Sequence, residues 1–398
     1  MKILVINAGS SSLKYQLFDM DSESVIAKGQ AEKIGLAEGL VKQSSGKGVI
    51  EYVLPIPDHS TAMQYVVRAL TDAEKGVIAS LDEIDAIGHR VLHGGADFTK
   101  SEIVSEPIKQ AVRENFVLGP LHNPANLAGI EVCERLMPGK PNVAVFDTAF
   151  HQTMPDYAFM YGAPYEYFEK YKLRRYGFHG TSHRFVSGEA LRRLNKGEGE
   201  PSKIIVCHLG NGSSLSAVAD GKCVDTSMGI TPLEGLIMGT RSGDLDPAAL
   251  QYIMDREGIG IEEMTDILNK KSGLLGISGV TSDMRDLTAA ADGGNERARL
   301  AIEMMCYRIR KYIGSFMAAM NGADAIVFTG GIGENDANVR GKVLRELSGL
   351  GVQLDETKNA STRGNGEISR EGSPVKVLVV ATNEELAIAR DAKALCEA

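Results

Sequence analysis

Three stretches of small residues could each hold an anion. Asn7-Ala8-Gly9-Ser10-Ser11-Ser12 follows the apolar run Ile3–Ile6, and His208-Leu209-Gly210-Asn211-Gly212-Ser213-Ser214 follows Ile204–Val206. Gly330-Gly331-Ile332-Gly333-Glu334-Asn335 follows Ala325–Phe328. Small side chains let backbone N–H groups turn outward to meet an anion, and the serines add hydroxyls. Glycines ahead of a helix leave bare backbone for a planar base or ribose, and the first helical N–H groups favour negative charge. Taken singly, each stretch also reads as a plain tight turn. Three in one chain point to a phosphorylated ligand. Neither a P-loop signature nor a dinucleotide-binding glycine fingerprint is present.

These loops need strands to deliver them. The apolar runs are rich in β-branched residues and read as buried strands. Ser11-Ser12-Leu13 recurs as Ser213-Ser214-Leu215, an offset of 202 residues in a chain of 398. A repeat at half-length is what two similar lobes produce. Ile84–Gly88 reads as a strand delivering His89-Arg90-Val91-Leu92-His93-Gly94-Gly95, and Asn142–Phe146 as one delivering Asp147-Thr148. Ligands in α/β sheets sit at such C-terminal strand ends. Ser60 is placed to cap a helix over 61–79, and Asn123-Pro124 to open one running to Leu136. Asp246-Pro247 starts another. Glu296–Met320 carries apolar residues at three- and four-residue steps and reads as one long helix. The stretches 224–246 and 270–286 read as ordered loops. Val375–Val380 is the last strand, and Thr382 with Glu385 forms a capping box for the C-terminal helix. A domain boundary falls near 150, giving lobes 1–150 and 151–383, with helix 384–398 returning to the first. The aromatic stretch 154–178 suits a packed inter-domain or dimer surface.

Composition sets limits. At 43% hydrophobic and 24% charged, with a net charge of −9, the chain is an ordinary globular protein large enough for two cores. No basic domain stands out, so nucleic acid is not an expected partner, and no apolar run is long enough for a membrane span. The five cysteines are scattered without a close pair, which suits reduced thiols in the cytoplasm. The start of the chain enters a strand at once, unlike a signal peptide.

At this point the chain resembles the acetate kinase family, of the acetate and sugar kinase/heat-shock protein/actin superfamily. The matching stretches are INAGSSSLK (6–14), HRVLHGG (89–95), LHNPANL (121–127), DTAFHQTMP (147–155), YGFHGTSH (176–183), HLGNGSS (208–214), GTRSGDLDP (239–247), TGGIGEN (329–335) and TNEEL (382–386). The resemblance implies an α/β fold of two duplicated ribonuclease H-like, actin-like ATPase domains with a cleft between them. It implies reversible transfer of the ATP γ-phosphoryl group to acetate. The implied catalytic residues are Asp147, Arg90, Arg241 and His179, the histidine donating to the transferring group. Acyl contacts would come from Arg90, Leu92, Leu121, Phe178 and Pro232. Nucleotide contacts would come from Lys14, His208, Leu209, Gly210, Asn211, Gly212, Asp283, Met284, Arg285, Gly331, Ile332, Gly333, Glu334 and Asn335. Asn7 and Glu384 would hold Mg2+, with Mn2+ as the alternative. His122, His183 and His208 also sit in matched motifs and read as structural or secondary. A homodimer is also implied.

The chemistry agrees with these residue types. One anion must approach another, and a carboxylic acid is already ionised at pH 7, so positive charge and alignment matter more than a base. Arg90 and Arg241 can each grip a carboxylate or phosphoryl group by two parallel bonds, which Lys cannot. Asp147 is then expected to orient an arginine or metal-bound water. Many acetate kinases carry Val where Leu92 stands, so the acyl pocket should be smaller here. One methylene is worth about 1–3 kcal/mol, so propionate could still react. The alternatives are a propionate or butyrate kinase, a nucleotide-gated actin- or chaperone-like protein, and a sugar kinase using Asp147 as base.

Overall fold

The computed structural model describes residues 1–120, 122–196 and 199–398. The chain divides into two compact units, Met1–Phe150 with Asn383–Ala398, and His151–Thr382.

The first unit is built on an eight-stranded sheet: β1 (Lys2–Ala8), β2 (Ser12–Asp19), β3 (Ser24–Glu32), β4 (Gly39–Ser45), β5 (Gly48–Leu54), β6 (Ala86–Val91), β7 (Glu102–Ile103) and β8 (Asn142–Phe146). Its order is β5-β4-β3-β2-β1-β6-β8-β7. Strands β1 to β5 form an antiparallel meander, β1, β6 and β8 run parallel, and β7 returns antiparallel. Leu4, Ile6 and Ile87 pack with the helices His59–Leu70 and Asn123–Leu136. Alternation along β6 turns Gly88 to the other face. There the helix Glu384–Glu397 packs on β1, β6 and β8, and Ile388 fills the space a side chain at 88 would need, 2.6 Å from an added Cβ.

The second unit repeats the scheme with β9 (Lys203–Leu209), β10 (Ser213–Ala219), β11 (Lys222–Thr226), β12 (Ala325–Thr329), β13 (Gly366–Glu367) and β14 (Lys376–Val379), in the order β11-β10-β9-β12-β14-β13. Again three strands are antiparallel, three (β9, β12, β14) are parallel, and a two-residue edge strand closes the sheet antiparallel. The helix Glu296–Met320 turns Ile302, Met305, Ile309, Ile313 and Phe316 onto Ile205, Cys207, Ile326 and Phe328. The shared strand order is the architecture of a duplicated α/β fold. The Ser-Ser-Leu echo is not in register, however. Ala8 pairs with Leu13 across a four-residue turn, whereas Leu209 pairs with Ser213 across three, so Leu215 lies two residues further into its ladder.

Several local expectations are corrected. Asp58, not Ser60, caps the first helix by accepting from Thr61 N, and that helix stops at Leu70. Asn383, not Thr382, caps the C-terminal helix through Leu386 N, which also puts Asn383 in the first unit. Thr382 is engaged elsewhere: its hydroxyl meets Ser182 Oγ and its N–H donates to Glu334. Asn123 is a helical residue rather than a cap. The stretch 270–286 contains a short helix, Gly273–Ser278. Tyr157, Tyr165, Tyr167 and Tyr171 are exposed, while Tyr176 and Phe178 are buried. Among the described residues no helix is long and apolar enough to cross a membrane.

Candidate active site

Parallel strands β1, β6 and β8 bring Asn7, Arg90 and Asp147 to one end of the first sheet, because Ile6 pairs with His89 and Arg90 with Val145. Arg90 donates to Asp147 through Nε at 3.2 Å and Nη2 at 2.5 Å. Its Nη1 lies 3.5 Å from Asn7 Oδ1, and its Nε 3.9 Å from Glu384 Oε2. Asp147 is fully buried. Burial opposes the Arg90 charge, but Asp147 and then Glu384 overcome it and hold the guanidinium protonated. Burial pushes the Glu384 carboxyl up to about 7 against the pull of Arg90, and Asp147 and Glu385 add to the rise.

Two asparagines that sequence reasoning did not place here fix the loop after β6. Asn126 accepts from Leu92 N at 3.0 Å and donates to Ala8 O at 2.6 Å. Asn123 accepts from His93 N at 3.1 Å and donates to His93 O at 2.9 Å. Their three-residue spacing puts both on one face of the helix, and two buried amides there were the available signal. Leu92 is buried beside Gly119. Leu121 lies outside the described residues. Lys14 lines a separate shallow concavity with Lys28, Lys42 and Glu385.

In the second unit a tight turn joins β9 to β10. Gly210 and Asn211 form part of the wall of a pocket of about 1000 Å³. Gly212, the next residue, is not part of that wall and lies near two polar side chains: a Cβ there would stand 3.4 Å from Arg241 Nη1 and 3.6 Å from His179 Nε2. Arg241 touches Pro232 O at 3.4 Å and pairs with no carboxylate among the described residues; burial lowers its pKa. His179 adopts a left-handed backbone, φ 57°, at the head of the helix Gly180–Arg193, a conformation costing a non-glycine residue about 1–2 kcal/mol. Its Nδ1 lies 2.9 Å from Ser214 Oγ, and its ring stacks on His208 at 4.3 Å.

Of the nucleotide residues the resemblance implies, Gly210, Asn211, Asp283, Met284, Arg285, Gly331, Ile332 and Asn335 line the pocket. Asp283 caps the following helix at Arg285 N and pairs with the Arg285 guanidinium, which holds its carboxyl down to about 2. Four others face inward. His208 is bonded to Ser182, and Leu209 is in the core. Gly333 packs under Phe328, and Glu334 accepts from Gly330 N and Thr382 N. Phe178 is buried with its carbonyl bonded to His151. Ser282, Asp336, Asn338 and Arg363 also line the pocket and were not foreseen. Nothing local in the sequence distinguishes Arg363 from a surface charge.

Asn7 and Glu384 offer two hard oxygen donors beside Arg90, and no group of three metal-ligating His, Cys, Asp or Glu side chains occurs among the described residues, so a divalent cation held by these two would keep most of its own waters.

The sequence matches the Acetokinase family over residues 2–390. It is 54% identical over 399 residues to an acetate kinase of Methanosarcina acetivorans, covering 100% of this chain and 97% of that one. The crystal structure of Porphyromonas gingivalis acetate kinase superposes with a TM-score of 0.95 at 45% identity, covering 99% of both chains. A propionate kinase from Francisella tularensis superposes at 0.92 with 43% identity and the same coverage. With two sheets of matching strand order and a family match from one end to the other, the chain belongs to the Acetokinase family.

Proposed function

We propose that the protein transfers the γ-phosphoryl group of ATP to the carboxylate of acetate, reversibly, giving acetyl phosphate and ADP in one in-line displacement. An acetate oxygen forms the new P–O bond as the bond to the β–γ bridging oxygen breaks and that oxygen leaves on ADP. The observation that carries this reading is the turn 210–212, where Gly210 and Asn211 line a pocket of about 1000 Å³ and the next residue, Gly212, lies beside Arg241 and His179. The pocket would take the base and ribose, and the turn would lead the phosphates toward the two donors.

Arg90 supplies the second clamp. Asp147 occupies its Nε/Nη2 edge, which leaves the Nη1/Nη2 edge for a two-point grip on a carboxylate or phosphoryl group. Asp147 on this reading orients the arginine and takes no proton. Lys14 would add charge, and Leu92, Phe178 and Pro232 would bound the acyl group. Asn7 and Glu384 would hold Mg2+ or Mn2+, which when bound neutralises phosphate oxygens. The five unpaired cysteines, four of them buried, support a place in the cytoplasm, and the exposed tyrosines support pairing with a second copy.

The test is trapping of the acyl phosphate by hydroxylamine across acetate, propionate and butyrate. Acetate is expected to have the highest kcat/KM, each further methylene costing about 1–3 kcal/mol. A preference for propionate would favour the second reading, which the likeness to the Francisella propionate kinase supports. ATP binding with no hydroxamate from any acid would overturn both and leave a nucleotide-gated protein.

A further inference from the structure

Three of the eight histidines meet in the second unit around two serine hydroxyls, and a fourth packs against one of them. Ser214 Oγ lies 2.9 Å from His179 Nδ1 and 2.8 Å from His183 Nε2. Ser182 Oγ lies 2.8 Å from both His208 Nδ1 and Thr382 Oγ1. His151 meets His183 edge-on at 5.6 Å.

A serine hydroxyl has one proton, so Ser214 cannot donate to both imidazoles. If both imidazoles donate to Oγ, the buried serine proton is left with no acceptor among the described residues, so two arrangements remain that use it between the three groups. In the first, His183 Nε2–H donates to Ser214 Oγ, the Ser214 O–H donates to His179 Nδ1, and His179 carries its proton on Nε2. In the second, every donor becomes an acceptor and His183 must carry its proton on Nδ1. Ser214 and His183 are fully buried, and His183 Nδ1 has no hydrogen-bond partner among the described residues. The second arrangement therefore buries an N–H with no acceptor, which native structures rarely tolerate. The first strands no proton. A protonated His179 meets the same obstacle. Its Nδ1–H would need Ser214 Oγ as acceptor, and the serine proton would turn to His183. Burial pushes His183 well below the usual imidazole range, with His151 and His208 adding to the fall, so His183 stays neutral.

We infer that Ser214 and His183 are positioning residues that hold His179 neutral with its proton on Nε2, the nitrogen facing Gly212 and Arg241. His208 stacks on the same ring, and Arg241 Nη1 approaches the same glycine as His179 Nε2, so its charge further disfavours a second cation there. The consequence for chemistry is the sign of the contact. A proton on Nε2 attracts a phosphoryl oxygen, and a lone pair there would repel it. This rests on His179 touching the transferring group, and adds what makes it a donor.

The test is nitrogen NMR of the full chain carrying ring-labelled histidine, with His179 assigned by the loss of its signals in His179→Gln. Near neutral pH, His179 is expected to show an unprotonated Nδ1 and a protonated Nε2. Ser214→Ala removes one buried oxygen. It is expected to mix the tautomers, raise the His179 pKa and lower kcat roughly tenfold, the factor one net hydrogen bond of ordinary strength supplies, with KM for ATP unchanged. His183→Gln keeps an N–H donor near the Nε2 position and is expected to restore the native tautomer, whereas His183→Leu is expected to lose it. Should His183→Leu fail to fold, Ser214→Ala still decides. A proton on Nδ1 in the unmodified protein, or an unchanged tautomer in Ser214→Ala, overturns the inference. The spectrum reads the tautomer without turnover. A His179 held on Nε2 whose replacement leaves kcat unchanged would therefore count against the catalytic reading and for the relay.

Discussion

Gly212→Ala separates folding from chemistry. The backbone at Gly212 does not have a positive φ, so alanine fits without strain. Its Cβ would stand 3.4 Å from Arg241 Nη1 and 3.6 Å from both His179 Cε1 and Nε2, all far ends of side chains at ordinary contact distance. Folding should be unharmed, and the stiffer unfolded chain should add about 0.4–1 kcal/mol of stability. The site should suffer. A phosphoryl oxygen held by both donors sits ~2.9 Å from each, on the side of the turn that the methyl would enter. Losing one such donor in the transition state costs about 10²–10³ in rate. The expected result is therefore a kcat lower by at least ~10² with an unchanged or slightly raised midpoint in thermal unfolding. ATP affinity by calorimetry should hold, since Gly210 and Asn211 keep their places on the pocket wall. A folded Gly212→Ala protein that forms acyl hydroxamate at the native kcat would refute the placing of the phosphoryl group between Arg241 and His179.

Arg241→Ala should retain ATP binding and lose roughly 10²–10³ in kcat, and Arg241→Lys should recover little because the fork is lost; unchanged turnover in either variant removes Arg241 from the reaction. Asp147→Asn leaves a largely buried guanidinium with only the more distant Glu384, and should cost about 2–3 kcal/mol in urea unfolding, below the figure for a fully buried pair because Arg90 keeps some solvent. A loss under about 1 kcal/mol would show the pair to be incidental. Stability should also depend on pH. Burial pushes His89 and His151 down to about 4, and His183 well below its ordinary value. Below the ordinary pKa of 6.5 the unfolded chain binds those three protons and the folded chain does not, so stability is lost as pH falls. Glu384, raised to about 7, acts in the opposite sense when no metal is bound. Between about pH 6.5 and 4.5 the net is roughly two protons taken up on unfolding, or about 2–3 kcal/mol per pH unit, measurable from urea midpoints in chelator. A flat profile over that window would mean these histidines ionise in the folded chain.

Much of the site was legible in local patterns. Apolar runs ending in small residues mark the strand ends at Asn7, Gly210–Gly212 and Gly331, because β-branched residues and glycine state their backbone preferences within a few positions, although Asn7 stays in β1 and Gly331 lies in a short helix rather than a loop. The helix Glu296–Met320 was readable to the residue, since its apolar period and its capping Asn295 are both local. Tertiary structure decided the partners. Whether Asn123 caps a helix or clamps His93, whether Asp58 or Ser60 captures Thr61 N, and whether Glu334 faces a nucleotide or Thr382 each depend on which partner lies within hydrogen-bond reach. It also decided that one hairpin turns in four residues and its counterpart in three, and that Arg363 reaches a pocket built around a turn 150 residues earlier. A backbone preference is a property of a residue and its neighbours. A hydrogen bond or a shared cavity belongs to residues distant in sequence, and the chain must fold before they meet.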